Sequence, residues 1–109
     1  MENKLNLIWK SGNDNSFIIG EVLNCEERYY FSYNEDEVKM AIEEGFKALD
    51  GFPRVNSKYF SEEPFKLFTR WAIDNRKLDK VNFELFKDLT HGEFSFVEVM
   101  EDINGDEIA

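Results

Sequence analysis

This sequence has little of what catalytic, secreted or membrane proteins rely on: its 109 residues include one cysteine, one histidine, two prolines and no long apolar run. Cys25, being alone, can form no internal disulfide, and no Asn-x-Ser/Thr sequon marks a secreted surface. Both features fit a reducing compartment, so a cytoplasmic protein is expected. No segment approaches the about 20 apolar residues needed to cross a bilayer, and the start MENKLNLIWK lacks the apolar stretch of a signal peptide, so no membrane partner is expected. His91 cannot pair with a second histidine to hold a metal, and its place beside a predicted helix end reads as structural or solvent-facing. Cys25 lies in a predicted turn beside Glu26 and Glu27, whereas a nucleophilic thiolate needs an electropositive setting. The glycines are scattered, with no cluster to cradle phosphates. The tail run DINGD begins like a calcium loop, but its glycine is misplaced and the distal glutamate ligand is missing. The sequence therefore offers no catalytic, cofactor-binding or metal-binding residues, and a non-enzymatic role is expected.

Basic charge is also scarce. Thirteen Lys and Arg against 23 Asp and Glu give a net charge of -10, which argues against gripping nucleic acid through its phosphates. The distribution is uneven. Residues 64–80 carry Lys66, Arg70, Arg76, Lys77 and Lys80 against Asp74 and Asp79, a local +3 that leaves -13 elsewhere. This segment reads either as a solvated helix face or as a contact patch for an acidic partner.

Turning to what is present, Leu5, Leu7 and Trp9 alternate with other residues at the period of a strand with one buried face. SGNDNS supplies a turn, FIIGEVL (17–23) is strand-like, and after NCEE the run RYYFSYN sets Tyr29, Phe31 and Tyr33 on one side. The period then changes. Asn34 and Glu37 form a candidate capping box, Glu35, Asp36 and Glu37 suit a helix N-terminus, and Val38, Ala41, Ile42, Phe46 and Leu49 share a helical face that Gly51 and Pro53 end. Ser61, Glu62, Glu63 and Pro64 open a second helix through FKLFTRWAIDNRK (65–77). A third is predicted over Lys80–Leu89, with Val81, Leu85, Phe86 and Leu89 inward and Gly92 at its end; EFSFVEV then reads as a strand. The expected fold is α+β: an antiparallel sheet, made of a three-stranded meander plus a later strand, with about three helices on one face. Residues 1–109 are read as one domain with an acidic tail over about 101–109. Trp9, Phe31, Ile42, Phe46, Phe65, Phe68 and Leu85 are the expected core.

Trp71 is the ambiguous residue. At about 100° per residue from Phe65, Phe68 and Ala72 fall near 300° and 340°, Trp71 near 240°, and Lys66 and Arg70 near 100° and 140°. Trp71 thus flanks the apolar stripe, where a large ring can lid the core or anchor a partner.

The order of LIWK, FIIGEV, YYFSYN and a helix with EEGFKAL ending in GFP resembles the N-terminal domain of HipA-type protein kinases. FKLFTRWAIDNRK and FELFKDLTHGEFSFVEV extend the resemblance over roughly Leu5 to Met100. Where that family commonly has leucine-proline, this sequence has Trp71, Ala72 and Ile73 ahead of Asp74. The sequence ends where the kinase core would begin, and nothing in it resembles the catalytic aspartate, magnesium-binding residues or ATP-binding lysine of a kinase. The resemblance implies a free accessory domain: a non-catalytic antitoxin or regulatory subunit that binds and restrains a HipA-type serine/threonine kinase, alongside a helix-turn-helix DNA-binding protein. Trp71, Arg70, Asp74 and Arg76 are the partner-binding residues expected on that reading. From the acidity alone, the alternative is a small phage or mobile-element inhibitor of a nucleic-acid-binding defence enzyme.

Overall fold

The alternation of Leu5, Leu7 and Trp9 does become a strand with those three side chains buried. The computed structural model describes residues 3–76, 86 and 89–99. In chain order these form β1 (Asn3–Lys10), β2 (Ser16–Cys25), β3 (Arg28–Tyr33), α1 (Glu35–Ile42), β4 (Lys58–Ser61), α2 (Lys66–Arg76), β5 (Thr90–His91) and β6 (Phe94–Glu98). The strands make one sheet in the order β4-β3-β2-β1-β6-β5, every neighbouring pair antiparallel.

This corrects the expected architecture of a three-stranded meander plus one strand under about three helices. The sheet has six strands, and two helices are present among the described residues. The third helix, with Leu85, lies outside those residues apart from Phe86 and Leu89, both buried. The two unforeseen strands carry almost no local signal. KYFS is only four residues long and sits between turn-forming segments; it is a strand because Tyr59 and Phe60 find Phe31 and Tyr30 across from them in β3. β5 has two residues and exists through its pairing with β6, so Gly92 (φ 59) belongs to a hairpin turn and not to a helix end.

The helix boundaries shift for equally local reasons. The Asn34 side chain accepts from the Glu37 N–H at 3.2 Å, as a cap should, but the Glu37 carboxylate accepts from the Ile18 N–H at 2.9 Å, so the reciprocal half of the capping box is replaced by a tie to β2. α1 stops at Ile42. The Phe46 N–H reaches the Ala41 carbonyl (3.1 Å) and the Gly45 N–H that of Ile42 (3.1 Å), a Schellman closure with Gly45 at φ 108. Phe46 and Leu49 are therefore buried from the segment beyond the helix, and Ile42, expected in the core, is 53% exposed. Ser61 ends β4, its hydroxyl accepting from the Glu63 N–H, and α2 begins only at Lys66.

β2 switches phase halfway. Leu7 pairs with Gly20 and Ile8 with Ile18, so Ile19 is an extra residue, and Phe17, Ile19 and Val22 all reach the core across this bulge. The core behind the sheet is built largely from rings. Phe68 packs against Phe96 (centroids 5.1 Å), Trp71 (5.3 Å), Phe52 (5.6 Å) and Phe31 (5.7 Å).

One buried polar group organises the segment after α1. The Tyr33 hydroxyl donates to the Phe52 carbonyl (2.6 Å) and accepts from the Leu49 N–H (2.8 Å). Burial pushes this hydroxyl up from 10.0 to about 12, overriding the Leu49 bond, which favours the phenolate. A group whose folded value is raised stabilises fully below its unfolded value, and that contribution fades as pH climbs from 10.0 through about 12. Tyr33→Phe is expected to cost about 2 kcal/mol, because it strands a buried N–H and a buried carbonyl. It should also flatten the alkaline loss of stability, which urea melts of both proteins at neutral and strongly alkaline pH would reveal.

Candidate binding surface

Antiparallel pairing carries side chains of one parity to the face opposite the core. One row there runs Phe60, Tyr30, Leu23, Lys4 across β4, β3, β2 and β1. A second runs Lys58, Ser32, Glu21, Asn6, Val97 from β4 to β6, and a third joins Ile18, Ile8 and Ser95. On this open face Phe60 is 63% exposed, Val97 44% and Ile18 38%, with Ile8, Leu23 and Tyr30 half-buried beside them.

The rings are arranged rather than scattered. Tyr30 and Phe60 pack at 6.4 Å between centroids, and the Arg28 guanidinium stands 6.0 Å from the Phe60 ring. Beside them a hollow of about 320 Å³ lies among Glu21, Leu23, Tyr30, Ser32 and Lys58. Among the described strand residues, Lys4, Lys10, Arg28 and Lys58 share this face with one carboxylate, Glu21, so the surface is locally basic on a chain of net charge -10. Its chemistry is that of adhesion: apolar area, a paired aromatic and a basic fringe.

The residues expected to bind a partner lie in the other layer, on α2. Trp71 is 6% exposed, with its ring stacked on His91 (5.0 Å, 8°) and on Phe94 (5.0 Å, 26°). In this structure it is part of the core, and the β5–β6 hairpin, absent from a helical wheel, widens the buried stripe to include it. Arg70 is exposed and lies 3.8 Å from Asp50 across a solvated ion pair. Asp74 is exposed on the last turns, and Arg76 ends the helix. α2 thus brings Arg70 and Asp74 to the surface but not Trp71.

Sequence reasoning missed the open face. A signal was available in Ile8, Ile18, Leu23, Tyr30 and Val97, apolar residues at strand positions that a one-sided sheet would give to polar side chains. Among the described residues no group of three or more His, Cys, Asp or Glu is placed to hold a metal ion, and no helix is long and apolar enough to cross a membrane. In comparisons with protein-family models, curated proteins and solved structures, the chain matches none.

Proposed function

We propose that this chain is a non-catalytic subunit that binds another protein through the open face of its sheet, and that the partner is a HipA-type serine/threonine kinase which it restrains. The observation that carries the binding role is the exposed apolar area of the open face, Phe60 beside Tyr30 and Leu23 in one row and Ile18 beside Ile8, with Val97 near them, beyond the polar row of Ser32, Glu21 and Asn6. Exposed apolar surface of this kind is costly to leave in water, and its mixture with polar side chains is common in interfaces. The identity of the partner draws on the resemblance to the HipA N-terminal domain, as does the helix-turn-helix protein as a further member of the complex. The lone Cys25 suits an assembly in the cytoplasm. The phage-inhibitor alternative draws on acidity, and the open face, with four basic side chains to one acidic among the described strand residues, gives it no support.

The test is to mix the purified chain with a HipA-type kinase from the same genome and follow both complex formation and kinase activity. A complex at micromolar concentration with reduced phosphorylation is expected. Phe60→Ser, at an exposed position, should leave the melting temperature unchanged and weaken binding about 30-fold, the effect of removing an interface hot spot of about 2 kcal/mol. Absence of a complex rejects the kinase, and binding that ignores Phe60→Ser but fails with Asp74→Arg would move the interface to α2.

A further inference from the structure

β4 closes one end of the sheet and β5 the other. An edge strand presents alternate backbone N–H and C=O groups with no partner strand, and proteins commonly blunt such edges with proline, bulges or brevity. β5 is blunted by having two residues. β4 has no proline, pairs with β3 without a register shift, and carries Lys58 as its one charge.

A groove of about 440 Å³ runs between this edge and α2. Its apolar floor is Phe52, Tyr59 and Phe65, the Phe52 ring packing on Tyr59 at 5.0 Å and on Phe65 at 5.2 Å. Tyr59 is fixed there, its hydroxyl accepting from the Arg54 N–H (2.8 Å) and donating to the Arg54 carbonyl (3.2 Å). On the helix side stand Lys66 and Arg70, one turn apart. Among the described residues lining the groove the one carboxylate is that of Asp50, whose 3.8 Å contact with Arg70 is solvated on both sides and easily exchanged.

We infer that this groove binds an extended acidic peptide segment of another protein by strand addition to β4. Tyr59 and Ser61 point to the groove side of the sheet, and Lys58 and Phe60 to the open face. A strand laid along β4 would alternate in the same way. One of its side chains would enter the groove over Phe52 and Phe65. The side chain two residues on would bring a carboxylate to Lys66 and Arg70, where a basic pair on an acidic chain selects for negative charge. Backbone pairing supplies the affinity, and the alternate residues supply the choice of partner. This site borders the one proposed for the kinase, with Phe60 on the rim of both, and differs from it in using Lys66 and Arg70, which the open face does not.

The probe is a fluorescein-labelled, amide-ended heptapeptide, TVFVDVT, whose phenylalanine and aspartate share one side of a strand. Anisotropy titration should give a Kd of about 10 to 100 µM, a plain strand-addition affinity. Replacing its aspartate by lysine should weaken binding at least about 10-fold, and N-methylating alternate amides should abolish it. The double variant Lys66→Glu, Arg70→Glu, at exposed positions, should reverse the preference between the two peptides while its melting curve stays in place. No binding at high protein concentration, or equal binding of the N-methylated peptide, overturns the inference. So does a dimer in sedimentation that the peptide cannot dissociate, since the edge would then be covered by a second copy. Kinase binding through the open face can succeed or fail independently of each of these results.

Discussion

Phe68→Ala is expected to lower the unfolding free energy by about 4 kcal/mol, a large part of what a domain of this size has in hand. Phe68 is 0% exposed and stands where the two layers meet. Its ring lies edge-on to Phe96 of β6 and to Phe31 of β3, and is stacked with Phe52 from the segment after α1. Truncation removes contacts to every one of those elements and leaves a hole whose walls are other rings held by their own neighbours. Collapse is therefore poor, and the cost falls toward the upper end of the range for buried phenylalanines. The melting temperature should drop by roughly 15 °C or more. Phe68→Leu, which keeps most of the volume, should lose less than half as much. Urea melts followed by tryptophan fluorescence would measure both, since Trp71 touches Phe68 at 5.3 Å. A cost under 1 kcal/mol for the alanine variant would show that α2 is not anchored where it is described.

Much of this core could be read from spacing alone. Leu5, Leu7 and Trp9, and Phe31 and Tyr33, are buried because a strand has period two and these residues share the face on which α1 and α2 pack. Asn34 caps α1 because its side-chain oxygen meets a free N–H of the first turn. What was illegible depended on partners distant in sequence. β4 is fixed by β3 some thirty residues earlier, and β5 by the hairpin with β6. Trp71 illustrates the same limit: its angle on an isolated helix left two roles open, and it is His91 and Phe94, contributed by the hairpin, that enclose it. The stop of α1 is a different kind of failure. Gly45 carried the local signal, but it was outweighed by an apolar spacing that continues through Phe46 and Leu49, residues that are buried without being helical.

The candidate surface was hidden for a related reason. Whether Tyr30 and Phe60 lie side by side depends on register, and register across β3 and β4 cannot be set until β4 is known to be a strand. The glutamates of the β2–β3 turn, Glu26 and Glu27, both adopt positive φ (52° and 67°), a conformation that Asn and Gly would have announced in the sequence. In each place the chain departs from the residue a local rule prefers, so local rules give the elements and tertiary pairing decides their arrangement.

Gly20→Ala should destabilise the protein by about 3 kcal/mol, in the opposite direction to the usual effect of this change. In an ordinary strand, alanine for glycine stabilises by about 0.5–1 kcal/mol through the entropy of the unfolded chain. At Gly20 a methyl carbon would lie 2.7 and 2.8 Å from Cε1 and Cζ of Phe31 and 2.9 Å from the backbone carbonyl oxygen of Ser32. Neither can give way cheaply. Ser32 is held in the middle of β3, and the Phe31 ring is 1% exposed and bounded by Phe52 at 4.7 Å and Tyr33 at 5.0 Å. The change overfills a close-packed core beside the bulge that sets the phase of β2, so relief by sliding would turn Phe17 and Ile19 away from the core. A double-mutant cycle separates the ring clash from other costs. Phe31→Leu alone should destabilise, but combined with Gly20→Ala the loss should be smaller than the sum by at least about 1 kcal/mol, because a smaller side chain makes room for the new methyl. Strict additivity, or a stabilised Gly20→Ala, would mean that the Phe31 ring does not lie over Gly20 in solution.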